Sequence, residues 1–186
     1  MPDDPTEETV EIQWVYTPAE YFDEKIKRNC EGYTVEIDDG RITARMKAEF
    51  FDVRPDLLSL IRRELESYFQ SAQPIRRKAF EIDGGGFTRI WPDGRENTTL
   101  AVHRSEQVMV SDQPDLVQMD NTGAVVGDTR RDRIEATRKL AELSVRHASN
   151  PTVRRMLDSF DRSVREPEIE LVRLYEVWEA LAEAFG

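Results

Sequence analysis

The chain has 186 residues with a formal net charge of −11, enough for one substantial domain or a small domain with a helical appendage. With 39% hydrophobic and 34% charged residues, its composition is that of a folded, heavily solvated protein and excludes global disorder. The acidic balance weighs against nucleic-acid partners, because phosphate binding draws on clustered Lys and Arg. No apolar run reaches the roughly 20 residues of a membrane-spanning helix. The opening Met1-Pro2-Asp3-Asp4-Pro5 has no basic-then-apolar leader, and the single Cys30 suits a reducing compartment, so the expected location is cytoplasmic, with no membrane contact.

Val10 to Tyr16 alternates loosely and runs up to Pro18, which predicts an opening strand. Tyr33 to Ile37 and Arg41 to Met46 flank Asp38-Asp39-Gly40. Asp-Gly between alternating runs predicts a hairpin, because such a turn needs positive φ angles. After Pro55, Asp56 is a plausible N-cap for a helix to about Gln70, with Leu58, Ile61, Leu65, Tyr68 and Phe69 on one face. Ala79 to Ile82 and Phe87 to Trp91 then read as strands about a Gly84-Gly85-Gly86 turn. Pro92-Asp93-Gly94 leads to a strand near Thr98 to Arg104, with further extended segments at Gln107 to Val110, Leu116 to Met119 and Ala124 to Gly127.

From Asp128 the pattern becomes helical. Arg130 to Ala148 places Ile134, Thr137, Ala141 and Val145 on one face. Asn150-Pro151 starts a second helix with Val153, Met156, Leu157, Phe160 and Val164 in register. After Glu166-Pro167 a third presents Leu171, Leu174, Tyr175, Trp178, Leu181, Ala182 and Phe185. The expected fold class is therefore α+β: an antiparallel sheet with one covering helix, followed by a C-terminal three-helix region. The expected domains are a sheet domain over 1–128 and a helical bundle over 129–186 packed on it.

Candidate chemistry is sparse. His103, beside Arg104 and Glu106, is a candidate general base or an ordinary strand side chain, and His147 falls at a helix C-terminus. One Cys and two distant His make no zinc spacing, and the acidic turns make no calcium loop. Gly84-Gly85-Gly86 lacks the Gly-Lys-Ser/Thr ending of a phosphate loop. No catalytic residue, metal site or cofactor is assigned. Arg130, Arg131 and Arg133 form a candidate anion-binding cluster, read alternatively as an intramolecular salt-bridge network, with Arg62-Arg63 and Arg76-Arg77-Lys78 as a second basic stretch. Leu174, Trp178, Leu181 and Phe185 form a candidate interface on the last helix.

Three stretches carry a resemblance: Tyr16-Thr17-Pro18 with Tyr21-Phe22, then Gly127 to Ile134, then Glu168 to Gly186. In these the chain resembles a group of uncharacterised bacterial proteins whose motifs imply no chemistry. The helical third is also similar to the bundles called HEPN domains, of which the RNA-cleaving members use an Arg-x4-6-His motif. Here Arg138 lies too far from His147 and Arg146 adjoins it, so no catalytic residue is carried over. The expectation is a non-catalytic interaction or self-association module, a homodimer or a partner of another protein through its last helix. The alternative is a nucleic-acid-binding or defence-related protein using its arginine clusters.

Overall fold

The computed structural model describes residues 7–99, 115–119, 122, 124–147 and 150–185, with the backbone alone at 145, 184 and 185. Its strands are β1 (Thr9–Thr17), β2 (Ile26–Cys30), β3 (Tyr33–Asp38), β4 (Arg41–Lys47), β5 (Glu81–Ile90), β6 (Glu96–Thr99), β7 (Val117–Met119) and β8 (Val125–Asp128). Its helices are α1 (Ala48–Asp52), α2 (Leu57–Arg76), α3 (Thr129–Arg146), α4 (Pro151–Arg165) and α5 (Glu170–Phe185). The fold is α+β, with a six-stranded antiparallel sheet and C-terminal helices. The chain divides into two compact units, Met1–Arg62 with Phe80–Val110, and Arg63–Ala79 with Ser111–Gly186. The strands Thr98 to Arg104 and Gln107 to Val110, and His103 with them, lie largely or wholly outside the described residues.

In the first unit the sheet order is β2-β3-β4-β1-β5-β6. The strand expected from Val10 to Tyr16 is the central one, antiparallel to β4 on one side and β5 on the other. Its alternation sorts the faces: Val10, Ile12, Trp14 and Tyr16 are buried while Glu11, Gln13 and Val15 turn outward. Across the ladder Ile12 meets Ala44 and Trp14 meets Ile42, and Ile37 continues the row on β3. Leu57 and Ile61, at the start of α2, are buried too. Each such side chain contributes roughly 1.5–3 kcal/mol on burial. Arg62 of α2 donates to the carbonyl oxygen of Ile82 on β5.

Asp39 and Gly40 take φ of 41° and 76° in the two-residue β3–β4 turn, as the Asp-Gly signal predicts. The Gly84-Gly85-Gly86 run departs from expectation: it is no turn but lies inside β5. There the β1–β5 register slips between Gln13 and Trp14, so that Gly85 is the extra residue of a β-bulge. Gly85 has φ +114°, and a Cβ there would stand 2.9 Å from Trp14 Nε1. The glycine thus gives the strand both its backbone angle and the room for the indole. Also outside the sequence reading are the short strand β2, the short helix α1, and the extension of α2 beyond Gln70 to Arg76.

The second unit contains the end of α2, the β7–β8 ribbon and α3 to α5. The strand segments expected at Leu116 to Met119 and Ala124 to Gly127 do pair, as an antiparallel ribbon. Asp128 caps α3, its Oδ1 accepting from the N–H groups of Arg130 (3.0 Å) and Arg131 (3.1 Å). Asn150 does the same for α4 through Thr152 at 2.9 Å, with Pro151 in the first helical position. Glu166-Pro167 breaks the chain into a short 3-10 turn, Pro167–Ile169, before α5. Helices α4 and α5 pack against each other. No described helix is long and apolar enough to cross a membrane.

Candidate functional site

The arginine cluster heads α3. Arg133 Nη2 donates to Asp115 Oδ1 at 2.8 Å, and its side chain is only 12% exposed. The Thr129 hydroxyl accepts from the Leu116 N–H at 2.8 Å, and the Thr129 N–H donates to the Leu116 carbonyl at 3.1 Å. Arg133 therefore works within the fold, tying α3 to the residues that lead into β7. Arg130 and Arg131 are exposed. In the second basic stretch Arg76 is buried, Arg77 is exposed, and Arg62 serves Ile82. The charges thus split between structural ties and open surface, and the described residues hold no group of three or more His, Cys, Asp or Glu able to bind a metal.

Helices α4 and α5 are tied by polar side chains, and each has small side chains buried. Ser159, Ser163 and Ala180 are buried. The Ser159 hydroxyl donates to Glu176 Oε2 at 3.0 Å, and Arg173 Nη1 donates to Glu176 Oε1 at 3.0 Å. Farther along, Arg155 reaches Glu183 at 3.1 Å. On α4, Asp161 accepts from Gln73 Nε2 of α2 at 2.6 Å and from Arg165 at 2.9 Å. Gln73 is fully buried and its Oε1 has no hydrogen-bond partner among the described residues. The apolar row of α4 expected from the sequence (Val153, Met156, Leu157, Phe160, Val164) is only half-buried throughout.

Helix α4 meets α5 on the side of Glu176, and several large apolar side chains of α5 stay outside. Leu171 is 83% exposed, Val172 58%, Tyr175 60% and Trp178 65%. Leu171, Tyr175, Trp178 and the exposed Ala182 follow one another at spacings of four, three and four, so they line a single face. Of the interface residues read from sequence, Trp178 belongs to this face. Leu174 and Leu181 are half-buried at its margin, and the side chain of Phe185 lies outside the described residues. Leu171, Val172 and Tyr175 were absent from that set. The signal for two of them was present, because Leu171 and Tyr175 share the apolar stripe with Trp178. What the stripe alone lacks is the side from which α4 approaches.

Charge on the helices is ordered in the same way. From Pro167 to Gly186 there are five glutamates and one arginine. That arginine, Arg173, is already engaged by Glu176, whereas no described cation pairs with Glu168, Glu170 or Glu179. On α3 the exposed Lys139, hydrogen-bonded to Glu135 one turn away, holds the Glu135 carboxyl below its usual range.

Compared with known proteins, the chain matches no family model, no curated protein and no solved structure. The roles of its residues therefore rest on geometry alone.

Proposed function

We propose that this protein acts through protein–protein contact, with the outer face of α5 as its docking surface, rather than through catalysis. One observation carries the reading: Leu171, Val172, Tyr175 and Trp178 stand together, each more than half exposed. Four large apolar side chains on one helix face are costly to leave in water and are the kind of patch that marks an interaction site. Tyr and Trp are also the residue types that most often dominate interface energetics. The alternative of nucleic-acid binding through the α3 cluster is weakened by the commitment of Arg133 to Asp115.

The test pairs stability with accessibility. In the double variant Leu171→Ser, Trp178→Ser the urea-unfolding free energy should move by no more than about 1 kcal/mol, since exposed positions contribute little to the fold. The chain has three Trp, so the Trp178 signal is read as the difference between wild type and Trp178→Phe, and in dilute protein it should be quenched freely by acrylamide. A loss of several kcal/mol, with Trp178 shielded in a monomer, would show that the chain covers this face itself and would overturn the reading. Light scattering over a range of concentrations separates self-association from a monomer awaiting a different partner.

A further inference from the structure

We infer that the occupant of the outer face of α5 is a basic amphipathic helix of another protein. This rests on the docking reading above and specifies its partner. A helix laid into an apolar helix face is recognised through anchors one turn apart, and Leu171, Tyr175, Trp178 and Ala182 supply that spacing. The charges beside them choose the sign of the partner. Glu179 follows Trp178 and stands one turn beyond Tyr175, and Glu168 precedes Leu171 by three residues. Glu168 and Glu179 have no described cation, and the only arginine of α5 is spent on Glu176. An apolar stripe bordered by unpaired carboxylates favours Lys and Arg opposite it, because complementary charge steers encounter and penalises partners of like sign.

The inner face of α5 shows how this helix takes a neighbour. There it holds α4, which has four arginines against two aspartates, and Arg155 of α4 pairs with Glu183. The outer face has the acidic excess without the cation. A second copy of the chain fits less well: pairing two α5 helices would double an excess of four glutamates over one arginine, on a chain whose net charge is already −11. A membrane surface fits less well again, since helices that lie on anionic lipid carry Lys and Arg beside their apolar face.

The probe is a designed helical peptide of about 18 residues, or about five turns, built from Leu and Lys with an amphipathic period, and a Leu/Glu peptide of the same pattern. The Leu/Lys peptide should bind saturably by calorimetry, more weakly as salt rises, and shift to the blue the emission that Trp178 adds over a Trp178→Phe control, while the Leu/Glu peptide should not bind. Leu171→Ser, Trp178→Ser keeps the net charge and should lose at least tenfold in affinity. Glu168→Gln, Glu179→Gln keeps the apolar face and should also lose about tenfold. Equal binding to the serine variant would mean general attraction to an acidic chain and would overturn the inference. Equal binding of both peptides would remove the role of the carboxylates and also overturn it, while leaving the docking face in place. Failure of both peptides overturns it as well. In that case a wild-type dimer dissolved by the serine substitutions makes the second copy the occupant, and a Trp178 shielded within a monomer removes the docking face altogether.

Discussion

The sheet unit and the C-terminal helices handle large side chains in opposite ways. On the sheet, Trp14, Ile12, Ile37 and Ile42 are almost wholly buried, in rows set by strand pairing. Among the described side chains of α3, α4 and α5 the buried ones are Thr137, Ala141, Ser159, Ser163 and Ala180, all small, while Leu171, Tyr175 and Trp178 stay outside. The first arrangement is the solution of a stable interior; the second includes polar ties such as that from Ser159 to Glu176. The difference teaches that amphipathic pattern and burial are separate properties. The pattern says that an apolar face needs cover, and only the packing says whether this chain supplies it.

The sharpest way to break the comparison is Trp14→Ala. Removing a buried indole from the central strand should cost about 3–5 kcal/mol in urea unfolding, against no more than about 1 kcal/mol for the exposed pair on α5. Similar losses at both places would abolish the distinction between the two regions. A middling effect belongs to Ser159→Ala, which removes the hydroxyl that donates to Glu176 at 3.0 Å. Glu176 keeps its bond from Arg173, so the loss should be about 1 kcal/mol; a much larger loss would mean that the serine tie anchors the helix pair.

The smallest effect is expected on the outer sheet face, where Lys25 and Glu36 pair at 2.5 Å. The hydrogen bond from Lys25 holds the Glu36 carboxyl below its usual range. A carboxyl depressed on folding stabilises the protein above its unfolded pKa, and the gain is lost as pH falls through the folded value. The stability difference between wild type and Glu36→Gln should thus be present near neutral pH and vanish in acid. It should also shrink in high salt, because both groups are exposed. A difference that grows toward acid would contradict the pairing.

How much of this was legible in the residues depended on how local the cause was. Asp39-Gly40 announced its hairpin because the turn's positive φ angles are a property of those two residues. The helix starts at Asp128 and Asn150-Pro151 were equally local, since caps act within one turn. Gly84-Gly85-Gly86 showed that the backbone needs unusual angles, but a bulge was distinguishable from a turn only through Trp14 on another strand. β2, five residues with Lys27 and Arg28 at its centre, has too few apolar side chains to announce a strand. Arg133 offered two readings, an anion site or an internal salt bridge, and its partner Asp115, eighteen residues earlier, was too distant in the chain to be named from sequence. On α5 the sequence marked a broad apolar face, and the approach of α4 divided it into a covered and an open part.

The outer strand of the sheet carries a last consequence. β2 ends the hydrogen-bonded order, and Lys27 and Asn29 project from it as exposed side chains. An open strand invites another strand, and each addition exposes a fresh edge, so unguarded pairing grows into fibres. Lysine discourages that growth. The proposed docking face lies instead on a helix, whose backbone bonds are satisfied internally. A partner seated on that face would complete the attachment and leave no template for the next, so docking there would not propagate into a polymer.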